Sequence, residues 1–262
     1  MPLEKVTWSL VTAVNSDEVL RGNLLRSDET NRANEVIIEW NAPTASSAYN
    51  SGMDRTTGDL IVFAHQDVFL PLGWASSLST CVNQLEEIDK DWGVAGVYGV
   101  TNSGKGVGYV YSAGLRRFVG ESFTDPTQVS TIDEMIIILR RSAGLRFDEQ
   151  LPGFHLYGTD ICLEAEAQGM KNYVLPCFAF HNSIGVKYLH SSFWQAYLYL
   201  RNKWKKRLPI KTPCTTITYG CLPIVDHLAR TCWSSIQGKQ KPGSRVDDPD
   251  KFYSDYIRHT SK

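Results

Sequence analysis

The chain has 262 residues, of which 42% are hydrophobic and 21% are charged, and this composition is that of a globular protein with a sizeable core. The 27 basic and 28 acidic residues give a formal net charge of −1, so the overall charge does not indicate a nucleic acid or an acidic surface as partner. The amino terminus lacks a charged region followed by an apolar one, and no run of 18 apolar residues occurs, so the sequence predicts neither a signal peptide nor a membrane span.

Six cysteines are spread along the chain, and no two of them form a Cys-x-x-Cys pair. Their spacing is not that of a zinc site, and a chain of this length does not depend on disulfides for its stability. We therefore expect reduced thiols, most of them buried, in a cytoplasmic protein.

The first quarter of the sequence predicts strands that alternate with helices. The predicted strands are 6–14, 35–39 and 60–64, and the predicted helices between them are 18–26 and 45–55. Short connections between such elements are typical of a parallel sheet with right-handed crossovers. No Gly-x-Gly-x-x-Gly motif follows the first strand, so a dinucleotide-binding domain is not expected.

The third predicted strand ends abruptly in polar residues. Leu60 to Ala64 are wholly apolar, as in a strand buried on both faces, and His65, Gln66 and Asp67 follow directly. In open α/β sheets ligands bind beyond the carboxyl ends of the strands, and alternation along a strand places His65 and Asp67 on one face. Two interpretations follow: these side chains face a ligand, or the strand ends in a solvated turn.

The rest of the chain predicts elements of both types. Further helices are predicted at 73–88, 159–168, 191–206, 221–237 and 250–258, and further strands at 92–100, 109–113, 115–119, 130–140 and 172–176. Thr101 to Gly108 are rich in glycine but lack the Lys-Ser/Thr pair of a phosphate loop, so they predict the tip of a hairpin.

A basic stretch, Lys203 to Arg207, closes the predicted helix 191–206. One interpretation is peripheral contact with an anionic membrane surface or a diphosphate. The other, which we favour, is a solvated helix end whose positive charge complements the helix dipole.

The motifs, taken in order over about residues 6–185, resemble those of family 2-like glycosyltransferases with the GT-A fold, in particular the subgroup that includes a streptomycin-biosynthesis protein. The motifs that carry this resemblance are 11–15, 48–52, 57–63, 65–67, 132–134, 147–149, 153–165 and 181–183. The resemblance implies an α/β GT-A domain at 1–185, with a Rossmann-like first half and a mixed sheet flanked by helices. Residues 186–262 are then expected to be a helical extension packed on it.

The resemblance also implies a reaction. A sugar would pass from a UDP-, GDP- or dTDP-sugar to a hydroxyl group of a glycan or small-molecule acceptor, with inversion at the anomeric carbon. The departing diphosphate takes up negative charge, which Mn²⁺ or Mg²⁺ with oxygen ligands stabilises. A carboxylate must accept the proton of the acceptor hydroxyl as the new bond forms.

Residue roles follow from the same resemblance. The family usually carries Asp-x-Asp at the end of the strand; here His65 replaces the first Asp, and Asp67 matches the metal-binding one. Two roles stay open for His65: contact with the ribose or phosphate of the nucleotide, or a contribution to the metal site. His181 matches a histidine that completes the metal site. Asp160 matches the catalytic base, and Asp133 is a rival for that role.

The remaining predicted site residues divide between the two substrates. The residues expected on the donor side are Val14, Asn15, Glu39, Asn41, Asn50, Asp54, His65 and Gln66. Glu134 and His155 are expected on the acceptor side. Two other functions stay open: a sugar-nucleotide or glycan binding module without turnover, and a metal hydrolase built on His65, Asp67, Asp160 and His181.

Overall fold

The computed structural model describes residues 6–185, 189, 191–220, 225 and 244–260. Its strands are β1 (Trp8–Val14), β2 (Val36–Trp40), β3 (Leu60–Ala64), β4 (Val68–Phe69), β5 (Val94–Gly96), β6 (Tyr98–Val100), β7 (Gly106–Ser112), β8 (Arg117–Gly120), β9 (Thr127–Val129), β10 (Thr131–Ile132), β11 (Ile136–Arg140), β12 (Asn172–Val174), β13 (Ala179–His181), β14 (Ile210–Lys211) and β15 (Thr216–Ile217). Its helices are α1 (Asp17–Gly22), α2 (Ala45–Met53), α3 (Trp74–Ile88), α4 (Tyr157–Ala167), α5 (Ser191–Lys203) and α6 (Pro249–Thr260).

The main sheet has seven strands in the order β2-β1-β3-β11-β5-β12-β9. Strands β1, β2 and β3 run parallel, whereas β11 is antiparallel to both β3 and β5, so the sheet is mixed. A second sheet has the order β10-β6-β7-β13-β4, with β8 paired to β7. The predicted α/β class, with helices flanking a mixed sheet, is confirmed.

Strand β3 is buried along its whole length because the main sheet has a hydrophobic core on each face. Ile61 and Phe63 belong to one core together with Tyr49 of α2, and Leu60 and Val62 belong to the other. The alternation of side chains along a strand explains this division. Burial on both faces, as predicted from the sequence, therefore explains the unbroken apolar run at 60–64. It places β3 between the two cores.

Two predicted strands are each divided in the structure. The segment 92–100 forms β5 in the main sheet and β6 in the second sheet, because the chain passes from one sheet to the other. The segment 130–140 forms β10 and β11, separated by a turn in which the Met135 N–H donates to Asp133 Oδ1 over 3.0 Å. The predicted helix 221–237 lies outside the described residues.

The part of the chain after residue 185 packs on both sheets where it is described. Tyr197 of α5 belongs to the core that contains Phe63. The β14-β15 hairpin is anchored by Thr131, whose hydroxyl donates to the Lys211 carbonyl over 2.8 Å. Phe252 of α6 packs on Tyr111, with ring centroids 4.7 Å apart. None of the described helices combines the length and apolar character needed to cross a membrane.

Two residues of the basic stretch 203–207 form ion pairs within the chain. Lys203 contacts three carboxylates, and Arg207 pairs with Glu166 at 2.8 Å. The neighbouring Lys205 and Lys206 are exposed. The stretch is thus mainly a connection between α5 and α4, and membrane contact through it stays a prediction.

Four cysteines among the described residues are free thiols. Cys81, Cys162 and Cys177 are buried, and Cys214 is exposed. The prediction of mostly buried, reduced thiols is confirmed for these positions.

The contact between α2 and β1 leaves no space for a side chain at Gly52. A Cβ atom there would overlap Cγ1 of Val11, whereas a Cβ atom at Gly22 of α1 would have no neighbour within 4 Å. We expect Gly52→Ala to lower the free energy of unfolding by about 1–3 kcal/mol, because overpacking displaces neighbouring groups. Gly22→Ala, the matched control, should change it by no more than about 1 kcal/mol. Urea unfolding of both variants tests this, and equal stabilities would contradict the described packing.

Candidate metal centre and adjoining cavity

Three side chains converge where β3 and β13 end. His65 follows β3 directly, Asp67 lies in the turn before β4, and His181 is the last residue of β13. The antiparallel pairing of β13 with β4 sets His181 opposite Val68, next to Asp67. One potential ligand atom from each side chain lies within 4.8 Å of the others, and His181 Nε2 is 3.4 Å from Asp67 Oδ1.

These donors suit a divalent cation. Two imidazoles and one carboxylate on one side of an ion leave positions free for further ligands, and such mixed nitrogen and oxygen sets hold several first-row divalent metals. All three side chains are only partly exposed. The resemblance assigned Asp67 and His181 to the metal and left two roles open for His65, a contact with the donor or with the metal. The structure places His65 in the same group as Asp67 and His181.

Two of the three side chains are in the protonation state that binds a cation. Burial alone would raise the pKa of Asp67, but the hydrogen bond from His181 and the charge of His181 hold that pKa well below its usual range. Burial lowers the pKa of His65, so its imidazole is neutral. For His181 burial is outweighed by Asp67, which raises the pKa. An ionised carboxylate and a neutral imidazole are the forms that bind cations, and His181 would release a proton on binding.

Tyr157 of α4 fixes the orientation of His65. Its hydroxyl oxygen lies 2.7 Å from His65 Nε2 and donates to the Glu134 carbonyl over 3.4 Å. The second bond uses the hydroxyl proton and so favours the arrangement in which the hydroxyl oxygen accepts from an Nε2–H of His65. That tautomer leaves the Nδ1 lone pair of His65 for a cation.

We expect Tyr157→Phe to weaken Mn²⁺ binding about 10-fold, because partners that orient a metal-bound histidine typically contribute 10- to 100-fold to affinity. Isothermal titration calorimetry with Mn²⁺ measures this. Tyr109→Phe is the matched control, since its hydroxyl bonds to Tyr256 in another part of the molecule. Equal affinities of the Tyr157→Phe variant and the wild type would contradict the orienting role.

A cavity of about 440 Å³ adjoins His65, Asp67 and His181, which together are called the metal-binding group below. In volume this cavity lies within the usual range for small-molecule sites. It is lined by Ala13, Val14, Asn15, Asn41, Ala42, Tyr49, His65, Gln66, Asp67, Phe154 and Tyr157. The cavity therefore includes five of the predicted donor-side residues. Gln66 shapes its wall: Oε1 accepts from the N–H groups of Asn15 and Ser16 at 3.1 Å, and Nε2 donates to Asn15 Oδ1 at 2.7 Å.

Three predicted donor-side residues have other partners and do not line the cavity. Glu39 forms an ion pair with Arg55. Asn50 is buried and exchanges hydrogen bonds with the backbone of Phe147, 2.9 and 3.0 Å long.

Asp54 pairs with Arg146 at 2.5 Å. Glu39, Asn50 and Asp54 therefore lie outside the cavity wall, and each side chain instead stabilises a neighbouring segment.

Asp160 is enclosed between α4 and α5. Its side chain is 2% exposed; Oδ2 accepts from Lys203 Nζ over 2.9 Å and Oδ1 accepts from Trp204 Nε1 over 2.7 Å. Lys203 also contacts Asp148 at 2.7 Å and Glu164 at 2.8 Å. Asp160 belongs neither to the cavity wall nor to the metal-binding group. The structure therefore does not bring the predicted base to the predicted metal.

The predicted acceptor-side residues are separated. Asp133 and Glu134 occupy the turn between β10 and β11, and the backbone N–H of His65 donates to the Met135 carbonyl next to them over 3.1 Å. His155 instead packs edge-on against Phe193 of α5, with ring centroids 5.5 Å apart. Sequence reasoning missed Tyr49, Phe154 and Tyr157 as cavity residues, although all three lie in the motifs 48–52 and 153–165. Tyr49 and Phe154 directly precede the predicted site residues Asn50 and His155.

Comparison with known proteins gives a family and a fold. Residues 23–197, about two thirds of the chain, match a family model described as glycosyltransferase like family. A curated protein of Fuscovulum blasticum, named ATP synthase subunits region ORF 6, is 30% identical over 138 residues, which are 49% of this chain and 53% of that protein. The chain thus spans about half the length of the curated relative it matches.

Solved structures of glycosyltransferases are similar to the chain. GalNAc-T7 with UDP, GalNAc and Mn²⁺ has a TM-score of 0.55 at 11% identity, covering 78% of this chain and 49% of that one. The mannosyltransferase PcManGT of Pyrobaculum calidifontis with GDP-Man and Mn²⁺ has a TM-score of 0.46 at 9% identity, covering 92% and 67%. Staphylococcus aureus TarS with UDP-GlcNAc has 0.47 at 14%, covering 75% and 65%. The GalNAc-T7 match shows the predicted GT-A fold; the narrower subgroup stays a prediction.

Proposed function

The chain belongs to the glycosyltransferase-like family, and we propose that it transfers a sugar from a nucleotide-diphosphate donor to an acceptor hydroxyl with inversion at the anomeric carbon. The observation that carries this proposal is the overlap of two features. His65 and Asp67 belong both to the metal-binding group and to the wall of the cavity. A nucleotide in that cavity would present its diphosphate to the cation, and the similar GalNAc-T7 structure contains both UDP and Mn²⁺.

Each part of the site has one task in this reaction. Val14, Asn15 and Asn41 would contact the nucleoside in the cavity. His65, Asp67 and His181 would hold Mn²⁺ or Mg²⁺, which when bound stabilises the negative charge of the departing diphosphate. Gln66 keeps the ends of β1 and β3 at a fixed separation through its bonds to Asn15 and Ser16. The donor is thus held by groups already oriented before it binds.

Inversion by a single displacement also needs a carboxylate that accepts the acceptor's proton. Asp160 was predicted for this role, but Lys203 and Trp204 occupy its two oxygens. We assign Asp160 to the α4-α5 contact instead. Asp133 and Glu134 remain as the carboxylates of the acceptor side.

A thermal-shift screen of UDP-, GDP- and dTDP-sugars tests the proposal. In Mn²⁺, the correct donor at 100 times its dissociation constant should stabilise the protein by about 2.7 kcal/mol, and EDTA should remove the effect. Release of nucleotide from that donor, with methyl glycosides as acceptors, should follow. Binding without release would favour a binding module, and hydrolytic turnover without any sugar nucleotide would favour a metal hydrolase; either result would contradict transfer.

A further inference from the structure

We propose that Glu134 is the group that accepts the proton of the acceptor hydroxyl, a role that rests on the glycosyl transfer proposed above. As the acceptor oxygen forms its bond to the anomeric carbon, the bond from that carbon to the diphosphate oxygen breaks. The electron pair leaves with the diphosphate, and the acceptor proton passes to the Glu134 carboxylate. The reaction then needs no further co-reactant.

The backbone around Glu134 is tied directly to the metal-binding group. Its carbonyl accepts from Tyr157, whose hydroxyl also holds His65. The next residue, Met135, accepts the backbone N–H of His65. Glu134 is therefore held in a fixed place beside the segment 65–67 that supplies two of the three potential ligands.

The side chain of Glu134 lies in a space that exists because residue 158 is glycine. A Cβ atom at Gly158 would lie 3.1 Å from Glu134 Cγ. The backbone N–H groups of Leu156 and Gly158, at the start of α4, face the carboxyl group and lower its pKa. This places it against the positive end of the helix, next to Tyr157 of the cavity wall. The residue is partly exposed, and it lies next to the cavity wall without being one of the residues that line the cavity.

The other two candidate carboxylates have structural tasks. Asp133 Oδ1 accepts from the Met135 N–H and closes the turn between β10 and β11. Asp160 is held by a lysine and a tryptophan. Glu134 has no ion pair with Lys, Arg or His within the described residues, so no cation competes with a substrate proton for it.

The protonation behaviour of Glu134 agrees with this role. Burial, and then the charge of Asp133, raise its pKa to about 8, although the two N–H groups lower it. The other titratable groups that face it are Tyr49 of α2, Tyr157 of α4 and Cys214 of the β14-β15 hairpin. A base is most effective when its pKa lies near the working pH. The fraction of Glu134 in the carboxylate form increases with pH up to and through about 8. We therefore expect kcat/KM to be low at acidic pH and to rise as the pH approaches about 8.

Glu134→Gln tests the assignment. We expect donor binding in Mn²⁺, measured by thermal shift, to be unchanged, and nucleotide release with methyl glycosides to fall at least about 100-fold, since a positioned base contributes 10²- to 10⁴-fold. Glu134→Asp should be more active than Glu134→Gln. Its kcat/KM should rise over a different pH range from that of the wild type. Glu87→Gln, at an exposed position of α3, is the matched control and should behave as the wild type.

Two results would overturn the assignment. One is wild-type release by Glu134→Gln; the other is an unshifted pH profile in an active Glu134→Asp variant. Neither result would bear on the proposed transfer itself. That proposal fails if the wild type releases nucleotide from none of the donors, or if it turns over without a sugar nucleotide, so the two failures are distinguishable.

Discussion

Replacement of Asp67 by alanine is expected to abolish stabilisation by Mn²⁺ and to lower nucleotide release at least about 100-fold, because a divalent ion contributes several kcal/mol to the stabilisation of transition-state charge. Asp67 supplies the one carboxylate of the metal-binding group that the described residues contain. Without it two imidazoles remain, and two neutral ligands hold a cation such as Mn²⁺ weakly. Calorimetric titration with Mn²⁺ measures the loss directly.

The matched control for Asp67→Ala is Asp91→Ala, an exposed carboxylate after α3. It should bind Mn²⁺ as the wild type does. If the Asp67→Ala variant retained wild-type affinity for Mn²⁺, the metal would have to bind elsewhere in the chain, and the assignment of the donor diphosphate to this edge of the sheet would be wrong.

Replacement of Lys203 by methionine is expected to lower the free energy of unfolding by about 3 kcal/mol, the lower end of the range for breaking a buried ion pair by removing one partner. The lower end applies because the lysine side chain is 20% exposed, whereas Asp160 is 2% exposed. The loss leaves the Asp160 carboxylate buried without its cation. For a chain of this size it corresponds to a decrease in melting temperature of about 6–12 °C.

A double-mutant cycle separates the charge from the packing. Asp160→Asn keeps an acceptor for Trp204 Nε1 but removes the charge, so we expect the double variant to be more stable than Lys203→Met alone. Lys205→Met, an exposed neighbour, is the matched control and should leave the melting temperature unchanged. Equal stabilities of Lys203→Met and Lys205→Met would contradict the described network. Asp160→Asn should also keep its turnover, since no step of the proposed reaction uses Asp160.

The sequence by itself determined the class of fold and two of the three metal-binding residues. Leu60 to Ala64 can be read as a buried strand because apolar periodicity reports local burial, and the polar residues after it mark the ligand edge of the sheet. The place of Asp67 at that edge predicted only contact with a ligand; the resemblance to the family assigned Asp67 and His181 to the metal. Of the predicted hairpin tip at 101–108, residues 101–105 connect β6 to β7, whereas Gly106 to Gly108 belong to β7 and pair with β6.

Only the tertiary structure decided which groups meet. His65 joins Asp67 and His181 because β4 pairs with β13, a contact between segments far apart in the chain. Tyr157 bonds to His65 across 92 positions, and Lys203 reaches Asp160 across 43. Periodicity and motif spacing carry information about neighbours along one element, not about the partner across a core. The resemblance placed Asp160 at the reaction centre, whereas the structure encloses it in an ion pair and ties the backbone of Glu134 to Tyr157, which bonds to His65.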